Sequence, residues 1–379
     1  MTIGDPRCWP CAEATAADAA LHALAAQSLA AGTAQESEGL DAEISRRLAD
    51  SIAMRDGGAL AHVFESAPSA AVYRHLWRAL VRIEAMQTTA MTATLFAIPL
   101  IVVAGAERDD AAPATIAGVL SNVDDVSALL RRHGALAGNQ TFALANALVA
   151  PAAIDIARIP SLLSARTFED TSHAAVAVPP ASIRIDVGDE RVHLRFIVGI
   201  AVAATDVDLT RDSSVSAWGM PLTQALSHSL APNGIALLVL PRAPKRLSVA
   251  LQHGRSAQRE VSAQLFASNA LRRMRASIGE PVAVISAHRA NDAPAGGELR
   301  ASLSSALDPA DAEGFRCPLY RTDRPSDVAE MLVALLRDCG VADVRVLSGV
   351  HRDRDPVTGM PFFYRADALP ESIDERPIQ

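Results

Sequence analysis

The chain has 379 residues, half of them apolar and 21% charged, with a net charge of −8. That length exceeds one compact core, so two or three domains are expected, and the balance is that of a globular chain rather than a disordered one. The acidic surface argues against a general nucleic-acid binder, which needs positive charge to neutralise phosphates.

The first notable stretch is RCWPC, with Cys8 and Cys11 three apart ahead of a helical run. A thiolate near a helix start is stabilised by unsatisfied N–H groups, which favours redox chemistry. A thioredoxin-like CxxC would follow a buried strand, and no such strand precedes Cys8. As half of a zinc site the pair needs two more ligands, and Cys317, Cys339 and the histidines lack partner spacing. An inert or docking segment, with Trp9 packed on the first helix, is therefore the leading reading; thiol-redox chemistry or metal binding by Cys8 and Cys11 is an alternative. Asp5, Pro6 and CWPC stand where a secretory signal would be basic and then apolar, so a reducing cytoplasm is the expected compartment.

Three helices follow. Residues 12–32 are alanine-rich with Leu21, Leu24 and Leu29. Residues 38–55 carry Leu40, Ile44, Leu48 and Ile52, and residues 69–86 carry Val72, Leu76, Leu80 and Ile83, both at helical spacing. Residues 1–90 thus read as a helical subdomain. From Ala85 to Ala106 there is no charge, but the strongly apolar part is only LFAIPLIVVAGA. A spanning helix needs roughly 20 apolar residues. With its β-branched content and Pro99 it reads as a buried strand, and no membrane insertion is expected.

Residues 91–180 read as a first α/β domain: that strand, the helix DDVSALLRRHG, and the strand QTFALANALVAP. Residues 167–182 form a connection containing a proline pair. Residues 181–379 read as a second α/β domain. SIRIDV and RVHLRF, split by GDE, predict a hairpin. IALLVLP, a helix over about 256–278, PVAVISAH, ELRASLSSAL, FRCPLYR, a helix over 326–339 and DVRVLSGVHR then give β-α-β-β-(β)-α-β, the element order of a ferredoxin-like unit. In the last helix Val328, Met331, Leu332, Leu335, Leu336 and Cys339 form one core-facing stripe, with Ser326 as cap and Gly340 as stop. HRDRD, the turn PVTG and MPFFYR predict a C-terminal hairpin. The fold class is α/β or α+β, a helical subdomain followed by layered sheet-and-helix domains. Glycine-closed helix ends recur in SALLRRHG, NALRRMRASIG and VALLRDCG. They fit either a duplicated core around 94–165 and 235–347 or convergent helix-stop grammar.

A second chemical lead follows the apolar strand FIVGIAVAA. TDVDLT (Thr205 to Thr210) resembles the first motif, D-x-D-x-T, of the haloacid-dehalogenase phosphohydrolases. That resemblance implies Asp206 as nucleophile, Asp208 as acid/base and Mg2+ between them. The family also uses a later strand-end Ser/Thr, for which Ser286 qualifies, then a lysine and an acidic pair, for which Asp308 and Asp311 qualify. The single lysine, Lys245, precedes Ser286 and so falls in the wrong order. A solvated Asp-rich turn is the plainer reading. Arg255, Arg259, Arg272, Arg273 and Arg275 make the long helix basic; with few stacking aromatics nearby, a solvated face is expected.

In layout the chain is similar to an uncharacterised betaproteobacterial protein family, on the helical opening, LFAIPLIVVAG and GVADVRVLSGVHRDRDPVTGMPFFY. The cysteine pair of that family near this end is missing here, and the likeness implies no activity. No P-loop, G-x-G-x-x-G, G-x-S-x-G or H-E-x-x-H occurs. The expectation is a soluble, cytoplasmic bacterial protein, non-enzymatic and without cofactor, serving as accessory or scaffold through a protein partner or homo-oligomer.

Overall fold

A computed structural model describes residues 3–7, 9, 12–86, 92–106, 114–136, 141–154, 156–157, 180–185, 191–203, 209, 215–231, 235–274, 279–307, 312–367 and 369. It belongs to the mixed α/β class and forms two compact units, Ala12–Gln258, and Met1–Cys11 with Arg259–Gln379. Among the described residues, no helix is long and apolar enough to cross a membrane.

The first unit opens with helices α1 (Ala16–Ala30), α2 (Ala34–Ala53), α3 (Gly57–Glu65) and α4 (Ala70–Met86). Each of the first three starts at a side chain that caps a free N–H group: Thr15 in a reciprocal capping box with Asp18, Thr33, and Asp56. Of the predicted ladders, Ile44, Leu48 and Ile52 on α2 and Val72, Leu76, Leu80 and Ile83 on α4 are buried, whereas Leu40 is half-buried and Leu29 of α1 is exposed. Phe64 meets the edges of Tyr73 and Trp77 at centroid distances of 5.3 and 6.2 Å, locking α3 to α4.

The charge-free stretch forms β1 (Thr92–Ala106), the spine of an antiparallel sheet. The other elements of this unit are β2 (Ala114–Ile116), α5 (Val123–Arg132), β3 (Thr141–Val149), β4 (Ile183–Ile185), β5 (Arg191–Ala203), α6 (Val215–Leu230), β6 (Ile235–Pro241) and β7 (Lys245–Arg246). The order is β3-β5-β1-β6, with β7 also paired to β1. Phe96, Ile98, Leu100 and Val102 face a core that includes Val126 and Leu130 of α5 and Trp218 and Leu222 of α6. Leu95, Ala97 and Ile101 are equally buried on the opposite face, so the strand has no polar side to show. Pro99 is tolerated because its carbonyl accepts from Arg242 N–H at 2.8 Å, in the gap between β6 and β7. In an antiparallel strand the amide of a residue points the same way as its carbonyl, so the N–H that proline lacks would face that gap and not a paired strand.

Two sequence expectations change here. SIRIDV and RVHLRF both contain strands, but β4 pairs with β2, while β5 pairs with β1 and β3. IALLVLP, as β6, also pairs with β1, so it does not join the later strands and no single sheet of ferredoxin-like order forms.

The long helix α7 (Leu247–Met274) begins in the first unit and ends in the second. The second unit then holds β8 (Pro281–Arg289), β9 (Gly297–Ser305), β10 (Glu313–Pro318), α8 (Pro325–Asp338) and β11 (Asp343–His351). Strands β8, β9 and β10 run as an antiparallel meander, and the crossover through α8 returns β11 parallel to β8. The sheet order β10-β9-β8-β11 differs in direction and connection from the first sheet, which favours convergent helix endings over duplication. The α8 stripe is buried through Val328, Leu332 and Leu336, but its N-cap is Arg324 with Pro325 following, and Ser326 bonds to its neighbour Asp327 instead of capping.

Gly199 of β5 lies opposite Phe96, and a Cβ there would sit 2.6 Å from the Phe96 ring and 2.8 Å from the Ala143 carbonyl. Gly199→Val is expected to destabilise the first unit by about 1–3 kcal/mol, read as a lower urea midpoint. An unchanged midpoint would mean that the ring does not occupy that space.

Candidate functional site

The densest set of chemically capable side chains lies on one face of the second sheet. Along β9, Leu299, Ala301 and Leu303 enter the core shared with α7 and α8, whereas Glu298, Arg300, Ser302 and Ser304 point to the other face. On β8 the alternation puts Ser286 and His288 on that same polar face, paired across the ladder with Arg300 and Glu298. A polar sheet face normally meets water, yet here none of these six residues is more than 4% exposed.

The cover is the segment following β11. The predicted hairpin turn forms there: Arg354 bridges Pro361, and Asp355 Oδ1 accepts from the N–H groups of Val357 and Thr358. Residues 352–365 form a strap over the polar face. His288 Nδ1 donates to the Arg352 carbonyl at 2.6 Å, and Ser302 Oγ donates to the Tyr364 carbonyl. Arg300 donates to the carbonyls of Asp353 and Phe362 and, through Nη2, to the Asp353 carboxylate at 2.6 Å. Its Nε donates to Glu298 at 2.6 Å, and Arg316 holds Glu298 from the other side while reaching Asp292.

Ser286 Oγ and His288 Nε2 are 2.7 Å apart. The Arg352 carbonyl can only accept, so Nδ1 carries the proton and Nε2 accepts from the Ser286 hydroxyl. This is the tautomer of a serine–histidine pair in nucleophilic catalysis. Burial pushes the His288 imidazole down to about 4, with the Arg352 carbonyl bond opposing and the Arg300 and His351 charges adding to the effect, so the ring is neutral at pH 7. An activated nucleophile also needs an approach path. Ser286 is 1% exposed and His288 is fully buried, so in this arrangement the pair serves to hold the strap.

A second constellation lies in the first unit, where a groove of about 460 Å³ is lined by Thr15, Asp18, Leu21, Arg47, Ser51 and His62, among others. His62 Nδ1 and Asp18 Oδ2 are 2.8 Å apart, and the same oxygen accepts from the Thr15 hydroxyl at 2.6 Å. Burial works against the Asp18 charge, but these bonds outweigh it and hold the carboxyl below its usual range. Asp41 is held low in the same way by Ser28, His75 and Arg82. Both histidine–aspartate pairs tie helices together, α1 to α3 and α2 to α4, which is a stapling role.

The residues singled out from sequence fall as follows. Asp206, Asp208, Asp308 and Asp311 lie outside the described residues, as do Cys8, Cys11 and Arg275. The strand leading to Asp206, β5, is antiparallel to both neighbours, whereas the phosphohydrolase resemblance implies a parallel sheet. Ser286 lies within β8, bonded to His288. The guanidinium groups of Arg7 and Arg321 lie 5.5 and 4.7 Å from the centre of the Trp9 ring. Arg7 fixes that segment through the carbonyls of Tyr320 and Asp323 at 2.6 and 2.9 Å. Cys317 is buried, which pushes its thiol up to about 12, and burial raises Cys339 as well. The basic helix is only partly a solvated face: Arg259 is buried on Asp323, and Arg273 pairs with Glu313. Among the described residues, no group of three or more His, Cys, Asp or Glu is placed to hold a metal ion. Family models, curated proteins and solved structures give no significant match to this chain.

The depressed His288 sets a pH dependence. An unfolded histidine takes its proton near pH 6.5, and the folded one only near 4. Stability is therefore complete above about pH 6.5 and declines as the pH falls toward 4, by about 2 kcal/mol between pH 7 and 4.5. Hydrogen exchange of the β8 and β9 amides in urea is expected to show this loss, and His288→Asn to flatten it. Equal pH slopes in both proteins would refute the assignment.

Proposed function

We propose that the protein acts by binding, as a non-enzymatic accessory or scaffold component of a larger assembly in the bacterial cytoplasm. Its partner is another protein or a second copy of the chain; nucleic acid is not among the partners proposed. The observation that carries this reading is the strap over the second sheet. His288, Arg300 and Ser302 are sunk beneath a polypeptide segment and bonded to four of its carbonyls, with Ser286 buried beside His288. Such a surface holds main chain, and among the described residues the serine–histidine pair is buried.

Three measurements test the reading. Size-exclusion chromatography with light scattering is expected to give a mass above that of one 39.8 kDa chain, alone or with a copurified protein. A monomer without a partner overturns it. A fluorophosphonate probe is expected to leave Ser286 unlabelled, and generic aryl phosphate to remain unhydrolysed. Labelling lost in Ser286→Ala, or turnover lost in Asp206→Asn, would replace binding with serine or phosphohydrolase chemistry.

A further inference from the structure

We propose that the face formed by His288, Arg300, Ser302 and Gly314 is a recognition site for a hairpin-shaped segment of a partner protein. That segment carries a carboxylate on one arm and an aromatic side chain on the other, and the strap occupies the site in cis. The inference rests on the binding role above and names its surface.

The site has a general component and a selective one. The general component is the set of bonds to main-chain carbonyls of Arg352, Asp353, Phe362 and Tyr364, which any extended backbone supplies. Two features select side chains. Arg300 receives the Asp353 carboxylate at 2.6 Å in a charge-assisted bond. Gly314 of β10 leaves a recess for the Phe363 ring, since a Cβ there would lie 2.6 Å from it. The Arg300 guanidinium also lies 5.7 Å from the centre of that ring, so one cation reads both arms.

The strap is built as a removable ligand would be. Among the described residues it forms no strand ladder with the sheet, and its bridge, Arg354 to Pro361, is internal. Its turn is closed by its own groups, with Gly359 N–H on the Asp355 carbonyl and Asp355 N–H on the Met360 carbonyl. Leaving the sheet would break side-chain bonds and keep the hairpin. It would also uncover Arg300 and Glu298, a buried pair whose remaining donors need an acceptor. A carboxylate-bearing chain of the same shape meets that need.

The test uses a fluorescent synthetic peptide of residues 351–367 and the full chain. A site filled in cis lowers apparent affinity by the fraction of molecules in which it is open. The full-length double variant Asp353→Ala/Phe363→Ala is therefore expected to bind the peptide roughly tenfold or more tightly than the unmodified chain. Adding Gly314→Val should abolish binding, and a peptide lacking the carboxylate and the ring should bind roughly tenfold more weakly. A folded double variant that binds no better than the unmodified chain, or that accepts both peptides alike, overturns the proposal. Should the double variant not fold, hydrogen exchange on the unmodified chain decides. Excess peptide is expected to raise exchange at residues 352–364 while β8 and β9 stay protected, and unchanged exchange overturns the proposal. A chain that assembles but ignores the peptide overturns this surface alone and leaves the binding role standing.

Discussion

A guanidinium that is 1% exposed constrains everything near it. The group is that of Arg300; guanidinium side chains in general keep their charge in proteins, and an unpaired buried charge costs several kcal/mol. Its neighbours must therefore supply acceptors, and they do so from two directions. Glu298, two residues earlier on β9, takes Nε, while the strap provides two carbonyls and a carboxylate for the remaining nitrogens. The demand of this one side chain, with the carbonyl bonds of His288 and Ser302 beside it, explains how a segment without a ladder stays in place. Register follows from the same demand. A slip of β9 by one residue would drive Arg300 and Glu298 into the apolar core against α8 and bring Leu299 under the strap.

The first unit handles buried polarity differently. In the helical layer, Asp18 and Asp41 each meet a histidine on a neighbouring helix, His62 and His75, and Asp41 meets Arg82 as well. In the sheet below, β1 avoids the problem by presenting apolar side chains on both faces. Glu84 near the end of α4, also buried, instead receives the Ser248 N–H and hydroxyl at 3.2 and 2.7 Å at the start of α7. These are local solutions between pairs of elements. Among the described residues, the second unit assembles a polar layer running from Ser286 to Asp292 by way of His288, Arg300, Glu298 and Arg316.

Periodicity made most elements legible. Leucine and isoleucine ladders located α1, α2 and α4, and the stripe from Val328 to Leu336 located α8. Two helices were missed for identifiable reasons. Helix α3 opens on Gly57 and Gly58, and α6 contains Gly219 and Pro221, residues that read as turns. The i, i+4 series Trp218, Leu222, Leu226 and Leu230 was the signal that outweighed them. Pairing was harder than existence. SIRIDV alternates well enough to be a strand, but nothing local reveals that its partner lies near residue 115. HRDRD was legible as one arm of a hairpin, but its charges carry no mark of a partner 53 positions away in sequence, where Arg300 binds Asp353.

The polar layer itself left a trace in the sequence. ELRASLS, residues 298–304, alternates polar and apolar without a break, which by itself denotes one wet face. What the alternation cannot disclose is a lid. Burial of that face depends on residues 352–365 folding back, and a proline–glycine turn is compatible with either an open or a closed return. The consequence reaches function. Ser286 and His288 carry the tautomer and spacing of a catalytic pair, yet reactivity depends on access as well as alignment, and access is decided by a segment more than sixty residues later. Holding main chain accounts for the bonds to the strap's backbone carbonyls, for the glycine at the aromatic recess and for the depressed imidazole together. Nucleophilic chemistry accounts only for the Ser286–His288 bond.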